Sequence, residues 1–507
     1  MPGERLAALS ARQGRRPKDA PMSTVRRSLG FAFLERYLLI ALQLLSFTLL
    51  ARLLTPQQIG LYSVSMALIS MAQVVRDFGL ANYLIQRKDL GPEDVGSALG
   101  TSLLLGGGLF AGIHAVAPWI GEFYGDASLT HIVRIISINF LILPFNSISI
   151  ALLRRDMRFD VLMRVNVAAA VVGTSTTLAL AWAGMGAASL AWGDIGASVT
   201  TVVGVSLAGA WGRLARPQLH RWREILRFGG PVTAANVVTS VSMDINDLAV
   251  GKLLDFSQVA IASRAQGLMN LFHRDIMGTV RSVAYPAFAQ AHRDDERLEQ
   301  RFVQSLGAVS AIAWPFYGFV GLFALEVLRL MFGSQWDASA PLVPIYCAAG
   351  AVSVLNSLIP TLMLAAGHAK LVALADLIIQ PVKALLLIAV IWHWRALEPL
   401  ALGVLAMAVV AVPYFYAFKQ RCLPSDFGAI ARELARNALL ALACLLPAAL
   451  VAAWLRPAGQ PLALQVWLAC AGLTVLIWLV GLKLLDHPLY AEIRAFLQRR
   501  RAAAAAS

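Results

Sequence analysis

Apolar stretches of about twenty residues, long enough to cross a bilayer, recur along the whole chain. They fall near 29–51, 59–79, 95–117, 129–152, 161–183, 187–209, 229–250, 257–285, 303–327, 339–364, 370–392, 398–418, 433–455 and 462–485. The pattern predicts an all-α polytopic membrane protein of about fourteen transmembrane helices. The seventh and eighth stretches are less oily than the rest. Between Pro231 and Tyr285 they carry Thr233, Asn236, Ser240, Asp244 and Asp247, then Arg264, Gln266, His273, Arg274, Asp275 and Arg281. Charges at the centre of a bilayer are costly, so a helix that holds several must face protein or water. This stretch is expected to line a polar path through the membrane.

Composition points the same way. The 507 residues are 58% hydrophobic and 14% charged, with mean hydropathy +0.67; soluble chains carry roughly a quarter charged residues. A net charge of +14 would suggest nucleic acid in a soluble protein, but its placement gives a different explanation. Lys and Arg outside the spans divide 27 to 5 between the two alternating sets of connections. The positive-inside rule puts the rich set, and both termini, in the cytoplasm. Dropping either polar stretch would flip every later loop and scramble this asymmetry, so both are counted as spans. Nucleic-acid binding is not needed. The scattered Cys347, Cys422, Cys444 and Cys470 show no metal spacing and read as small buried hydrophobes. The basic first 28 residues have no apolar core or cleavage site of a signal peptide. Met22 is an alternative start to Met1.

The chain repeats itself. Residues 51–68 (ARLLTPQQIGLYSVSMAL) match 251–268 (GKLLDFSQVAIASRAQGL) without a gap at an offset of 200. The match pairs Leu53 with Leu253, Leu54 with Leu254, Gln58 with Gln258, Ser63 with Ser263 and Arg52 with Lys252. A second echo links Asp126-Ala127-Ser128 to Asp337-Ala338-Ser339, and Asn146-Ser147 to Asn356-Ser357. Both displace the chain by six spans, an even number, so the halves are parallel repeats with a substrate site expected between them. The expected division is a cytoplasmic N-terminus (1–28), a first lobe (29–209), a basic linker (210–228), a second lobe (229–418), two further spans (419–485) and a cytoplasmic tail (486–507). Leu219–Phe228 is expected to lie along the cytoplasmic face.

Polar stripes mark candidate sites. Asn236, Ser240, Asp244 and Asp247 fall within about 80° of one another on a helix. Arg274 and Arg281 share a face, as do Arg36 and Gln43 in the first span. Arg274 sits near mid-span, too deep to reach either surface. Other charges have simpler explanations: an Asp247–Arg264 salt bridge, an interfacial Arg76–Asp77 pair, and an Asp376–Lys383 pair in the eleventh span. The cationic surplus of the eighth span suggests an anionic ligand, because the planar fork of arginine suits phosphate. Asp244 and Asp247 are candidates to load an ion or proton. If the repeat register holds beyond the matched segment, Arg264, Arg274 and Arg281 stand opposite the oily Val64, Val74 and Ala81. No nucleotide-hydrolysing loop, zinc motif or large extramembrane domain is present in the sequence. No catalytic residue, metal or cofactor is expected.

The segments "ARLLTPQQIGLYSVS", "DFGLANYLIQRKDL", "RRDMRF", "LRFGG", "MFGSQWDASAPLVPI" and "LAAGHAK" together resemble the bacterial polysaccharide transporter (oligosaccharide flippase) family. That family belongs to the multidrug/oligosaccharidyl-lipid/polysaccharide flippase superfamily. The resemblance implies two six-helix lobes around a central cavity, with two more helices at the C-terminus. It implies alternating-access translocation of undecaprenyl-diphosphate-linked oligosaccharides across the cytoplasmic (inner) membrane, for exopolysaccharide, capsule or O-antigen (lipopolysaccharide) synthesis. Implied partners are the lipid-linked oligosaccharide, membrane lipids, a polysaccharide polymerase and a chain-length regulator. The substrate-binding candidates are Arg36, Gln43, Arg264, Arg274 and Arg281; those for ion or proton coupling are Asp244 and Asp247. The alternatives are an ion-coupled small-molecule antiporter on the same scaffold and a membrane polymerase or ligase of lipid-linked glycans. The outer connections are short for such an enzyme.

Overall fold

The computed structural model describes residues 45–77, 90–209, 216–294, 297–456 and 460–491, with single positions at 38, 39, 42, 43, 80, 84, 87, 494 and 498. Among the described residues every regular element is helical. This follows from the solvent: where no water reaches, a helix satisfies its own backbone groups.

The first lobe contains α1 (45–53), α2 (Pro56–Asp77), α3 (Pro92–Tyr124), α4 (Ala127–Ser137), α5 (Asn139–Arg155), α6 (Phe159–Trp182) and α7 (Ala187–Leu207). The second contains α8 (Trp222–Leu253), α9 (Phe256–Asn270), a π-helical turn (Leu271–Ile276), α10 (Met277–Arg293), α11 (Leu298–Leu322), α12 (Ala324–Met331), α13 (Leu342–Ser353), α14 (Ile359–Ala365), α15 (Ala369–Trp394) and α16 (Leu397–Gln420). Helices α17 (Phe427–Leu455) and α18 (Leu464–Leu484) follow.

Eleven helical segments among the described residues are long and apolar enough to cross a membrane, counting α4–α5 and α13–α14 each as one broken span. The polar seventh and eighth stretches are not among the eleven, yet both are helical. One is α8, 32 residues long; the other runs unbroken from Phe256 to Arg293 through the π-helical turn. Their polar residues hold their mean hydropathy below that of the other long helices, as the sequence pattern leads one to expect. Only the end of the first span is described. The linker expectation needs correction: α8 begins at Trp222, so 222–228 is the entry to the seventh span rather than a separate surface helix.

The repeat is visible in the backbone. Helices α2 and α9 start identically after the turns at 54–55 and 254–255. Thr55 Oγ1 accepts from Gln58 N–H at 3.3 Å, and Gln58 Oε1 accepts from Thr55 N–H at 3.0 Å, a reciprocal capping box. In the second copy Asp255 accepts from Gln258 N–H at 2.9 Å. Each copy thus satisfies helix N–H groups that would otherwise be orphaned. The spans that carry the second echo are both broken: α4 gives way to α5 at Ile138, and α13 unwinds at Val354–Asn356.

The lobes meet along α2, which packs on α8 and α9. One apolar core runs through both lobes, including Leu54, Val64, Val259, Phe272, Tyr317 and Trp336. At the turns the approach is backbone to backbone: a Cβ on Gly60 would lie 1.6 Å from the Phe256 carbonyl oxygen, so only glycine fits. This end of the molecule is called the turn face. At the opposite, linker face, α5 and α10 pack mainly within their own lobes. There Asp94 receives Arg87 at 3.2 Å and Arg221 at 3.1 Å, and Arg87 also reaches Glu224 at 2.9 Å. Helices α17 and α18 dock on the second lobe through α11. Their other sides expose Leu442, Leu446 and Leu476, as a lipid-facing surface would.

Candidate functional site

A cavity of about 190 Å³ lies where the end of the first span meets α9, the π-helical turn and the α12 end. Three of the predicted substrate residues line it: Gln43 from the first lobe, and Arg264 and Arg274 from the second. Gln43 is more than two hundred residues from the two arginines in sequence, and the contact between the lobes brings them together.

Arg264 is buried, at 5% exposure. Its guanidinium carbon lies 4.2 Å from the Phe47 ring centroid, 4.8 Å from Trp336 and 5.3 Å from Phe332. Each distance is within cation–π range. The three rings surround the cation, and its Nε has no hydrogen-bond partner among the described residues. Among the described residues no carboxylate pairs with Arg264, so the expected Asp247–Arg264 salt bridge is replaced by an aromatic box. A stacked guanidinium retains the N–H edges that bind an anion bidentately. Phe47, Phe332 and Trp336 were not singled out by sequence reasoning. Their spacing offers no local signal, because they come from the first span and the connection after α12. Trp336 does stand inside the "MFGSQWDASAPLVPI" segment.

Arg274 is exposed to the cavity, as its depth in the span predicts. Arg281 does not line this cavity. The π-helical turn at Leu271–Ile276 changes the helix register between Arg264 and Arg281, so the single stripe expected for Arg274 and Arg281 is split. The simple offset to Val74 and Ala81 is also lost beyond Asn270, and Ala81 lies outside the described residues. Arg281 instead comes within electrostatic reach of His273, as does Lys383 of α15. Among the described residues Lys383 makes no ion pair with Asp376, contrary to the expected internal pair. Its charge belongs to a second cationic cluster with Arg281. Among the described residues Arg281 Nε and His273 Nδ1 are buried without hydrogen-bond partners. Arg36 lies outside the described residues.

The carboxylates do not line this cavity. Asp244 accepts hydrogen bonds from Ser70 of α2, and from Ser240 one turn away at 3.2 Å. Asp247 lies within electrostatic reach of Asp244 and of the Tyr346 hydroxyl. Asp194 of α7 accepts from the Tyr62 hydroxyl. Asp77 and Arg76 form the expected pair at the α2 end. The arrangement offers one cavity lined by two arginines, a second cationic group of Arg281 and Lys383 around His273, and a separate carboxylate pair on α8.

A family model described as polysaccharide biosynthesis protein matches residues 49–341. The chain is similar to the lipopolysaccharide biosynthesis protein WzxC of Escherichia coli (strain K12), at 26% identity over 65% of this chain and 67% of that one. It is similar to the succinoglycan biosynthesis transport protein ExoT of Rhizobium meliloti, at 21% identity over 63% of this chain and 65% of the other. Its fold is that of the lipid II flippase MurJ in an inward closed conformation: TM-score 0.70, 12% identity, covering 90% of this chain and 98% of that chain.

Proposed function

Because the chain belongs to the polysaccharide biosynthesis protein family, we propose that it is a flippase rather than an enzyme. It carries undecaprenyl-diphosphate-linked oligosaccharides across the bacterial inner membrane for exopolysaccharide, capsule or O-antigen synthesis. The linker face and both termini are cytoplasmic, in keeping with the positive-inside asymmetry, and the turn face is outside. The observation that carries the proposal is the cavity walled by Gln43, Arg264 and Arg274 from the two lobes. Two cationic clusters along one helix suit a diphosphate headgroup that must cross while its lipid tail stays in the bilayer. Arg264 and Arg274 hold the anion from the cavity, and Arg281 with Lys383 meets it nearer the linker face. Asp244 and Asp247, at the seam where the lobes part, are placed to couple an ion or proton to that motion. The relatives' names, which include biosynthesis and transport, support this reading. A polymerase and a chain-length regulator would act on the exported units.

The test is a deletion strain. Loss of the protein should leave unpolymerised lipid-linked units on the cytoplasmic side, restored by the wild-type chain but not by Arg274→Ala inserted at equal level. Units accumulating outside would indicate a polymerase instead. Drug resistance on expression would favour a small-molecule antiporter.

A further inference from the structure

At the turn face the repeat places the same kind of contact twice. Arg52 closes the first span and Lys252 closes α8, at the offset of 200. Each crosses to the other lobe. Arg52 Nη2 donates to the Leu330 carbonyl at 3.1 Å. Lys252 Nζ donates to the Phe123 carbonyl and lies 4.4 Å from that residue's ring centroid. Leu330 is in the last turn of α12 and Phe123 in the last turn of α3. Such carbonyls lack intrahelical donors, and the helix C-terminus favours a cation. Both acceptor helices stop just before a glycine in the left-handed region, Gly125 at φ 76 and Gly333 at φ 94. A second pair of contacts runs beside the first: Tyr124 Oη donates to Leu248 O at 3.2 Å, and Trp336 Nε1 donates to Ala51 O at 2.9 Å. In each case an aromatic donor of one lobe reaches a carbonyl in the last turns of the other lobe's first span.

We propose that Arg52 and Lys252 are two pseudo-symmetric latches that hold the turn face shut and release when the lobes part there. Both side chains are exposed, so on release water replaces the carbonyl. The tie is therefore weak enough to cycle, and having two fixes the lobes against rocking about either one. Neither residue lines the cavity of Gln43, Arg264 and Arg274, so the latches set access rather than affinity. The device rests on the proposed alternation of access, and its test does not require transport.

The test uses the full chain in right-side-out membrane vesicles with Ser263→Cys, beneath the latches, as the reporter for a membrane-impermeant maleimide applied to the turn face. Arg52→Ala with Lys252→Ala should speed labelling by roughly 5–30-fold, the range that one or two kcal/mol of bias gives. Each single variant should give about half of that on a logarithmic scale, since distant sites add. Arg52→Lys with Lys252→Arg should label like the parent. If the double variant is poorly inserted, the single variants decide. Unchanged labelling in folded variants overturns the latches even if transport is normal. Faster labelling in a protein that moves no lipid-linked oligosaccharide supports the latches and removes the transport reading.

Discussion

Arg264 allows the sharpest separation of binding from stability. The perturbation is Arg264→Met, which keeps length and apolar bulk but removes the charge. On the stability side two terms nearly cancel. A desolvated cation–π contact is worth about 2 kcal/mol, and three rings lie within 5.3 Å of the guanidinium carbon. Against this, the buried Nε has no partner among the described residues, and an unsatisfied buried donor costs about 1–3 kcal/mol, more when it is charged. The methionine variant should therefore melt within a few degrees of the parent. On the binding side nothing cancels. A hydrogen bond between charged groups is worth about 1.5–3 kcal/mol, so losing one or both bonds to a diphosphate should slow translocation by roughly 10–100-fold at 1.4 kcal/mol per decade. Arg264→Lys should fall between, because lysine keeps the charge but loses the flat fork. The assays are thermal unfolding of the purified protein and headgroup translocation in proteoliposomes. A methionine variant that melts normally and translocates at the parental rate would refute the assignment of Arg264 to the anion.

Other substitutions probe the rest of the account. Gly60→Ala puts a methyl 1.6 Å from the Phe256 carbonyl; overpacking of this kind costs about 1–3 kcal/mol, so a lower melting temperature or a turn face held open is expected. Glu326 is buried and accepts from Arg456 at 3.1 and 3.0 Å and from Leu462 N–H at 3.1 Å, docking the last two helices on the second lobe. Arg456→Ala should cost about 3 kcal/mol by leaving that carboxylate unpaired, whereas Glu326→Leu with Arg456→Met should be nearly neutral; equal losses in both would contradict this. His487, beyond the last helix, is held down to about 4 by burial and then by the Arg436 guanidinium. A folded value below the ordinary 6.5 means that the unfolded chain takes the proton first. Stability should be full above about pH 6.5 and fall toward pH 4, and His487→Gln should flatten that slope. Asp244→Asn keeps the Ser70 and Ser240 contacts possible but removes the charge; translocation should become independent of the driving ion gradient, and unchanged ion dependence would exclude Asp244 from coupling.

Much of the architecture is legible in the sequence because bilayers impose simple rules. Span length, the Lys/Arg asymmetry and the Thr55/Gln58 and Asp255/Gln258 repeat each leave a local mark. The polar α8 and the α9–α10 stretch are recoverable only by combining hydropathy with charge counting. The candidate cavity is legible in part: Gln43, Arg264 and Arg274 stand out as polar residues in oily surroundings. Their aromatic neighbours do not, since Phe47 and Trp336 are ordinary residues for a membrane span and meet Arg264 only through the fold. The π-helical turn is also invisible in the segment Leu271–Ile276, which contains neither glycine nor proline. That turn moves Arg281 away from the stripe it shares with Arg274 in a regular helix and leaves it beside Lys383.

The central claim is that this cavity passes an anionic lipid headgroup between leaflets. The most direct measurement is reconstitution in proteoliposomes with a fluorescent undecaprenyl-diphosphate oligosaccharide, following its accessibility to an impermeant quencher. The account predicts that the parent protein equilibrates the headgroup across the bilayer, that Arg274→Ala does not, and that a lipid without the diphosphate is ignored. Equal equilibration by Arg274→Ala, or of the lipid lacking the diphosphate, would contradict it.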